Sequence, residues 1–344
     1  MELIVSGGWF GKEHLIHFPI REVIKLQDLS LLRNKEGFLI LSYDFTHKTL
    51  GLPIKSSGLP PALLLKLGQP TNIPMPDTKA HIPLKLTGSS LSREGFLKRV
   101  EKVKNYILSG DVYQVNLTNR FDFESSESPA KLFKGFISRQ PVPYGFCADL
   151  KEFFIISGSM ELFLKKRGEH IESRPIKGTG TDPEQILKSP KERAENLMIT
   201  DMVRNDIGII AQTGSVSVRE LFKVESYKTL YQMHSTVVGK TKEKIDRILQ
   251  ATFPPASVTG APKYRAVQII DELEPHARGY YCGTSGFIHK NGDFTLSVLI
   301  RTAFGGGSKL SYFAGCGIVW DSDPQREWEE LLLKIKAFYP QVHP

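Results

Sequence analysis

Residues 283–320 decide the fold, and they read GTSGFIHKNGDFTLSVLIRTAFGGGSKLSYFAGCGIVW. Two strand-like runs, Gly283–His289 and Phe294–Phe304, flank the dipeptide Asn291-Gly292, which is a strong signal for a tight hairpin turn. A run of three glycines then predicts a turn into a third strand, Lys309–Trp320. Successive hairpins indicate antiparallel pairing, not a parallel array with helical crossovers.

Helix signals alternate with further strand signals on either side of this stretch. Ser92 is a candidate N-cap of a helix that Gly110 closes, with Phe96, Val100, Val103 and Ile107 on one stripe. Other helices are predicted around Ala194, Leu197, Met198 and Met202, over 245–251, from Pro262 to Leu273, and over 324–338. Two more strands are predicted at Phe153–Ser157 and Phe163–Lys165. Long blocks of helices and antiparallel strands predict an α+β protein.

A segment rich in proline and glycine, from about residue 51 to 88, separates a short N-terminal part from the rest. Apolar residues interrupt it throughout, so we interpret it as loop and irregular edge structure instead of a linker. The predicted division is a shortened N-terminal region, residues 1–85, packed on a main domain, residues 86–344.

The composition is typical of a globular protein, since 40% of the 344 residues are apolar and 24% are charged. No apolar run reaches the roughly 18 residues of a membrane span, and the N-terminus has no basic stretch of the kind that begins a signal peptide. We therefore expect a cytoplasmic protein with no membrane partner. The net charge of +8 does not indicate nucleic acid, because basic and acidic residues are interspersed.

The cysteines Cys147, Cys282 and Cys316 lie far apart and form no Cys-x-x-Cys pair. They predict small buried side chains, not a zinc site or a disulfide framework. The sequence also lacks a P-loop and a Gly-x-Gly-x-x-Gly motif after a strand, which removes the main support for a nucleotide-binding fold.

Three groups of charged residues are candidates for chemistry, and each also has a structural explanation. The spacing of Glu330 and Lys334 is that of a routine surface ion pair, Glu195 fits a solvent-facing position, and a lone lysine near proline and glycine is usually exposed. Taken singly, the residues leave both interpretations open. The groups are Glu192 and Glu195 with Asp201, Arg204 and Asp206; Glu327, Glu330 and Lys334; and Arg174–Thr179 with Glu161.

Six short stretches follow one another along the chain: residues 109–117 (SGDVYQVNL), 193–198 (RAENLM), 204–206 (RND), 258–263 (VTGAPK), 300–302 (IRT) and 315–319 (GCGIV). In this order and spacing they resemble the chorismate-utilising enzymes, a family of anthranilate, aminodeoxychorismate, isochorismate and salicylate synthases. The resemblance implies the fold of anthranilate synthase component I, in which large antiparallel sheets are sandwiched and flanked by helices. It also makes residues 86–344 the chorismate-binding catalytic domain.

The resemblance implies a magnesium site and a set of substrate contacts. Mg²⁺ would be held by Glu195 and Glu330, with Glu327 acting through water and Lys334 offsetting the negative charge. This agrees with the preference of Mg²⁺ for a few carboxylates completed by water and substrate. Arg301 matches the clamp on the enolpyruvyl carboxylate, for which a planar fork is well suited. The other implied substrate contacts are Gly315 and Gly317, through their backbone amides, and Ser257, Tyr281, Gly178, Thr179, Gln114 and Lys334.

Two positions separate the reactions within this family. Isochorismate and salicylate synthases carry a lysine that activates water where this chain has Gln114, so hydroxylation is disfavoured. Anthranilate synthases typically carry alanine at the position of Lys177, whereas aminodeoxychorismate synthases carry lysine. The resemblance therefore implies that Lys177 attacks the ring while Glu161 protonates the departing hydroxyl, and that ammonia completes an amination at C4. The product would be 4-amino-4-deoxychorismate, the precursor of 4-aminobenzoate in folate synthesis.

The chain departs from the family pattern at Met160, at Gln232, where a histidine is frequent, and at Pro255-Ala256. It lacks the Leu-Leu-Glu-Ser stretch of the tryptophan feedback site, and we expect no fused lyase or glutaminase domain. Ammonia is thus expected from a separate glutamine amidotransferase subunit. Two alternatives remain: anthranilate synthase component I, which differs in its product, and a non-catalytic scaffold for the amidotransferase, which Mg²⁺-dependent turnover of chorismate would exclude.

Overall fold

The computed structural model describes residues 1–76, 83–180, 182–226 and 231–341. Its strands are β1 Glu2–Ser6, β2 Leu15–Lys25, β3 Gly37–Leu41, β4 Ala62–Leu67, β5 Thr71–Ile73, β6 Lys85–Ser89, β7 Gln114–Glu124, β8 Tyr144–Asp149, β9 Phe154–Ser159, β10 Leu162–Arg167, β11 His170–Arg174, β12 Ile176–Gly180, β13 Ser217–Ser226, β14 Tyr231–Lys240, β15 Gly260–Ala261, β16 Thr284–Ile288, β17 Phe294–Val298, β18 Thr302–Gly306 and β19 Lys309–Ile318. Its α-helices are α1 Thr46–Leu50, α2 Arg93–Leu108, α3 Pro129–Arg139, α4 Pro183–Lys188, α5 Pro190–Ile210, α6 Ile245–Thr252, α7 Lys263–Leu273 and α8 Pro324–Lys336.

The strands form two antiparallel sheets that share β2. In the first sheet the order is β5-β2-β1-β8-β9-β18-β19-β7, and β6 and β15 both pair with the far side of β7. In the second sheet the order is β2-β4-β3-β16-β17-β10-β11-β14-β13, with β12 beside β11 on β14. The α+β prediction is therefore confirmed.

Both faces of the first sheet are buried. Along β9, Ile155 packs in one hydrophobic cluster with residues of the second sheet, whereas Ile156 packs in another with Phe96 of α2, Phe133 of α3 and Leu331 of α8. This alternation follows from the two-residue period of a strand. The first sheet thus lies between the second sheet and a layer of helices.

The predicted strand over Phe294–Phe304 is wrong in one respect, because the structure divides it into β17 and β18. The break includes Arg301, whose φ of 52° lies in the left-handed region that non-glycine residues rarely adopt. β17 pairs within the second sheet and β18 within the first. The break therefore moves the chain from one sheet to the other, and Arg301 lies at the crossing.

The helix around Glu195 is confirmed, but its predicted apolar face is wrong. Leu197 is 53% exposed, whereas Glu195 and Asn196 are buried on the opposite side of α5 with Ile199 and Val203. Helix α2 agrees fully with its prediction, since the Ser92 hydroxyl accepts from the Gly95 amide and Gly110 has a φ of 77°. Local capping was readable from the sequence, whereas the inward face of α5 was not.

The predicted loop over residues 51–88 also needs correction, because it contains β4, β5 and β6. Strand β4 lies between β2 and β3, and Leu63, Leu64 and Leu65 are fully buried. The N-terminal strands share both sheets with the rest, through β1 with β8 and β3 with β16. The division at residue 85 remains a prediction. The three cysteines are free and buried, and no described helix is long and apolar enough to cross a membrane.

A buried ion pair between Arg278 and Glu274 connects three elements of the fold. Arg278 and Glu274 are each 2% exposed, and the guanidinium donates to both carboxylate oxygens, at 2.9 and 2.7 Å. It also donates to the carbonyl oxygens of Val258 and Asn116, at 2.8 and 2.6 Å. This pair fixes β7 and the 3-10 helix Ala256–Val258 relative to α7.

Replacing Arg278 with Met should destabilise the chain strongly. The Glu274 carboxylate and two carbonyl oxygens would remain buried without their partner, which costs about 3–5 kcal/mol in unfolding free energy. Denaturant unfolding measures this loss. Lys98→Met is the control, because Lys98 pairs with Glu94 on the surface at 72% and 77% side-chain exposure, where a pair contributes less than about 1 kcal/mol. Equal losses in the two variants would contradict a structural role for the Arg278 pair.

Candidate active site

A cavity of about 730 Å³ opens where the two sheets approach α5 and α8. Strand β12 contributes Lys177, β19 contributes Gly315 and Gly317, and the sheet crossing contributes Arg301. Every described residue for which the resemblance implied a catalytic, substrate-binding or metal-binding role lines this cavity except Gln114. The structure therefore brings together residues that are far apart in the sequence, such as Glu161 and Lys334, which are 173 positions apart.

Lys177 is held over a glycine of the opposite sheet. Its Nζ lies 2.6 Å from the position that a Cβ on Gly317 would take, and the Gln114 Nε2 lies 2.9 Å from the same position. The lysine side chain is only 14% exposed, and its Nζ is 3.8 Å from the nearer Glu195 oxygen. Gln114 thus lies behind the cavity wall beside the amine. Glycine is required at 317 because a side chain would occupy the space of the amine.

Glu161 is a deeply buried carboxyl of the cavity wall, at 5% exposure. Burial raises its pKa to about 7, although a hydrogen bond with the Ser257 hydroxyl, the charge of Lys177 and the Ile176 backbone each lower it. A carboxyl with a pKa near neutrality can give and take a proton under ordinary conditions. The raised pKa of Glu161 is thus of the kind that a general acid requires, and Ser257 is its hydrogen-bond partner.

Four glutamates form what we call the acidic end of the cavity: Glu192 and Glu195 on α5, and Glu327 and Glu330 on α8. Ligand atoms of Cys316, Glu327 and Glu330 lie within 4.8 Å of one another. Burial raises the pKa of Glu192 and of Glu327, and neighbouring carboxylates raise each further. Lys334, 2.6 Å from Glu330, lowers the pKa of that carboxyl.

The donor set of the acidic end suits a hard divalent cation. Its oxygens are carboxylates from two helices, which is the ligand type that Mg²⁺ prefers. Burial raises the pKa of the Cys316 thiol well above its ordinary value, so the sulfur stays protonated and is a poor ligand for Mg²⁺. The acidic end already contains one positively charged side chain, because the Lys191 ammonium lies 3.9 Å from Glu195 and 3.6 Å from Glu327.

Two basic residues of the cavity, Arg301 and Lys334, donate hydrogen bonds to backbone carbonyl oxygens. Arg301 Nη1 donates to the carbonyl oxygen of Lys334 at 3.2 Å, and Lys334 Nζ donates to that of Gly315 at 2.7 Å. The ion pair of Glu330 and Lys334 is therefore not a routine surface pair, since it connects α8 to β19 at the cavity wall. Tyr281 completes this side, 4% exposed and stacked on Phe313 with ring centroids 5.5 Å apart.

Two predicted contacts lie on β12. Gly178 has a φ of 94°, and a Cβ there would come within 3.2 Å of Glu192 Oε2. The side chain of Thr179 lies outside the described part of the chain, although its backbone pairs with Gln232 of β14. Gln232 is 3% exposed and faces the cavity, so the residue that replaces the frequent histidine lies at the site.

The sequence analysis named Glu192 among its charged candidates without giving it a role, and it did not single out Lys191 or Asn116, which also line the cavity. Glu192 lies three residues before Glu195, on the same helix face, and this spacing was a usable signal. Asn116 lies two residues after Gln114, on the same face of β7. It is 6% exposed, and its Nδ2 has no hydrogen-bond partner among the described residues. Lys191 lies four residues before Glu195, a spacing that predicts a helical ion pair, whereas its second partner, Glu327 on α8, is remote in sequence.

The cavity joins an acidic end, a clamp-like arginine and a buried lysine between two antiparallel sheets. The family described as chorismate binding enzyme matches residues 33–340, and the chain belongs to this family. Two solved structures show the same fold. Anthranilate synthase component I from Streptococcus pneumoniae has a TM-score of 0.79 at 23% identity, covering 98% of this chain and 92% of that one. The menaquinone-specific isochorismate synthase from Escherichia coli has a TM-score of 0.77 at 18% identity, covering 98% and 88%.

Curated relatives of the chain carry two names. Anthranilate synthase component 1 from Aquifex aeolicus is 40% identical over 266 residues, which are 74% of this chain and 54% of the relative. Aminodeoxychorismate synthase component 1 from Bacillus subtilis is 38% identical over 258 residues, 72% and 55%. The same-named protein of Escherichia coli is 38% identical over 266 residues, 74% and 59%. The matched region thus spans somewhat more than half of each relative.

Replacing Glu161 with Gln should stabilise the chain at alkaline pH. The folded-state pKa of about 7 exceeds the ordinary 4.5, so the folded chain binds this proton more tightly than the unfolded chain. Wild-type stability therefore falls as the pH rises from 4.5 to 7, and the cost is complete above that range. The variant should gain up to about 3 kcal/mol at about pH 8.5 and little at about pH 5, at roughly 1.4 kcal/mol per pKa unit.

Denaturant unfolding at the two pH values measures the difference. Glu101→Gln is the matched control, since Glu101 is exposed on α2 and should give no pH-dependent gain. An equal gain for Glu161→Gln at both pH values would contradict a raised pKa.

Proposed function

We propose that this chain aminates chorismate at C4 with ammonia and forms 4-amino-4-deoxychorismate, as the resemblance of its Lys177 position implies. The observation that carries the proposal is the buried Lys177 amine, which faces the cavity beside Glu195 and over Gly317. A lysine at this place gives the cavity a nucleophile of its own. The proposed class is an aminodeoxychorismate synthase, a chorismate aminotransferase, whose product leads to 4-aminobenzoate and folate.

In the proposed first step, the uncharged Lys177 amine attacks C2 of the ring. The two ring double bonds shift, and the C4 hydroxyl leaves as water with a proton from Glu161. The lysine nitrogen then releases its extra proton. This assignment uses the proximity of Glu161 and Lys177, since the charge of Lys177 already lowers the pKa of that carboxyl.

In the second step, ammonia attacks C4 and the double bonds shift back. The bond between C2 and the Lys177 nitrogen breaks, which restores the free amine. The departing lysine nitrogen takes up the proton that the new amino group loses, and Glu161 regains the proton that the lysine nitrogen released in the first step. One carboxyl with a pKa of about 7 suffices for both transfers.

The remaining residues would orient the substrate. Mg²⁺, when bound at Glu195 and Glu330 with Glu327 and Glu192 nearby, supplies positive charge for the ring carboxylate. Arg301 would hold the enolpyruvyl carboxylate, and its place at the sheet crossing keeps the guanidinium on the cavity wall. The backbone amides of Gly315 and Gly317, the Ser257 hydroxyl and Tyr281 would complete the pocket. The magnesium site and these roles are proposals of the same standing as the reaction.

A separate glutamine amidotransferase is the proposed source of ammonia, and another protein would carry out the lyase step. A cytoplasmic location remains part of the same proposal. Anthranilate formation is the competing function, because a relative of that name is as similar as the aminodeoxychorismate synthases. The position of Lys177 in the cavity favours amination at C4, and product analysis separates the two.

Lys177→Ala should slow the reaction severely. The purified wild-type chain with chorismate, Mg²⁺ and ammonium at alkaline pH should yield aminodeoxychorismate, identified by chromatography and mass. Loss of the nucleophile should reduce this product at least about 100-fold, the lower range for a group that acts directly on the reacting atoms. Lys188→Ala on α4, whose side chain is 78% exposed, is the control. Anthranilate from the wild type, or full activity in the Lys177 variant, would contradict the proposal.

Gly317→Ala should disable the site. The added methyl would meet the Lys177 amine at 2.6 Å and the Nε2 of the fully buried Gln114 at 2.9 Å, so the flexible end of the lysine would be displaced. A displacement of about 1 Å can cost roughly 100-fold in rate. Gly208→Ala is the matched control, because no atom lies within 4 Å of a Cβ at this position on α5. Wild-type turnover in Gly317→Ala would contradict the placement of the amine.

A further inference from the structure

Lys191 connects the two helices of the acidic end. It lies on α5, one turn before Glu195, and its Nζ is 3.9 Å from a Glu195 oxygen and 3.6 Å from a Glu327 oxygen on α8. The Glu327 side chain is 3% exposed, whereas that of Lys191 is 45% exposed. The ammonium group thus sits at the rim and reaches a carboxylate that is almost closed off from water.

The other two lysines of the acidic end have different partners. Lys177 pairs with the Glu195 carboxylate, at 3.8 Å, and Lys334 pairs with Glu330 on its own helix while also donating to the Gly315 carbonyl. Among the described residues, Lys191 is the cation that joins a carboxylate of α5 to one of α8. It therefore offsets the repulsion between the two helices, where burial makes like charges costly.

We infer that Lys191 is a resident counter-ion, which holds the acidic end together and which a divalent cation must displace to bind both helices. Its long stem and half-exposed position let the ammonium group swing into solvent when the cation enters. Lys191 is thus a positioning residue that lowers the affinity for the metal while keeping the carboxylates in place. This inference rests on the part of the proposed function that assigns Mg²⁺ to these glutamates, and not on the identity of the amino product.

Calorimetric titration of Mg²⁺ into the metal-free chain, with no chorismate present, tests the inference. Lys191→Gln should bind Mg²⁺ roughly 10-fold more tightly, because the metal then has no ammonium group to displace from the Glu195 and Glu327 carboxylates. The melting temperature in chelator should fall, and Mg²⁺ should raise it by more than in the wild type. Lys191→Arg keeps the charge and should stay near the wild type.

Lys188→Gln is the matched control. Lys188 forms an ion pair of the same spacing with Glu184 on the neighbouring helix α4, at 2.8 Å and 78% exposure. It should leave both the Mg²⁺ affinity and the chelator melting temperature unchanged. An effect of equal size at Lys188 would overturn the inference, since it would reflect only the net charge of the chain.

The failure of the inference is distinguishable from that of the proposed function. Equal or weaker Mg²⁺ binding by Lys191→Gln would overturn the counter-ion role alone and leave the metal site standing. Absence of Mg²⁺ binding by the wild-type chain would overturn both the inference and the metal site. Tighter binding by Lys191→Gln supports the inference whichever product the chain makes.

Discussion

The repulsion among the four glutamates that α5 and α8 contribute to the cavity wall is the constraint on which the site depends. Like charges in a partly buried wall raise the free energy of the fold unless cations offset them. Burial and neighbouring carboxylates accordingly raise the pKa of Glu192 and Glu327. Lysines from α5, β12 and α8 supply the compensation, so the positions of the two helices are coupled to the positions of these cations.

The cavity also holds two carboxyls whose pKa values are shifted in opposite directions. Glu161 is buried beside the Ser257 hydroxyl and the Lys177 amine, and burial is the main cause of its pKa of about 7. Glu330, beside Lys334, has a lowered pKa and remains charged. When the surroundings of two carboxyls separate their pKa values, the one with the lower pKa can remain charged while the one with the higher pKa transfers protons. This division agrees with the proposed roles of acid and metal ligand.

The parts of the fold that depend on local chemistry were predictable from the sequence. The Ser92 cap, the Asn291-Gly292 hairpin and the apolar stripe of α2 each involve residues within one element. The inward face of α5 was not predictable, because its buried side carries Glu195, Asn196 and Thr200. A helix that presents polar residues to a cavity breaks the ordinary amphipathic pattern, as functional elements often do.

The site shows the same limit at the level of single residues. The motif resemblance identified site residues from separate elements, but it explained Gly317 only by a contact of its backbone amide with substrate. The structure adds a second reason, since the space that a side chain would fill holds the Lys177 amine from β12. The break before β18, where Arg301 takes a left-handed conformation, likewise has meaning only when both sheets are present. Contacts between remote elements therefore decide the site, and no spacing along one strand or helix can express them.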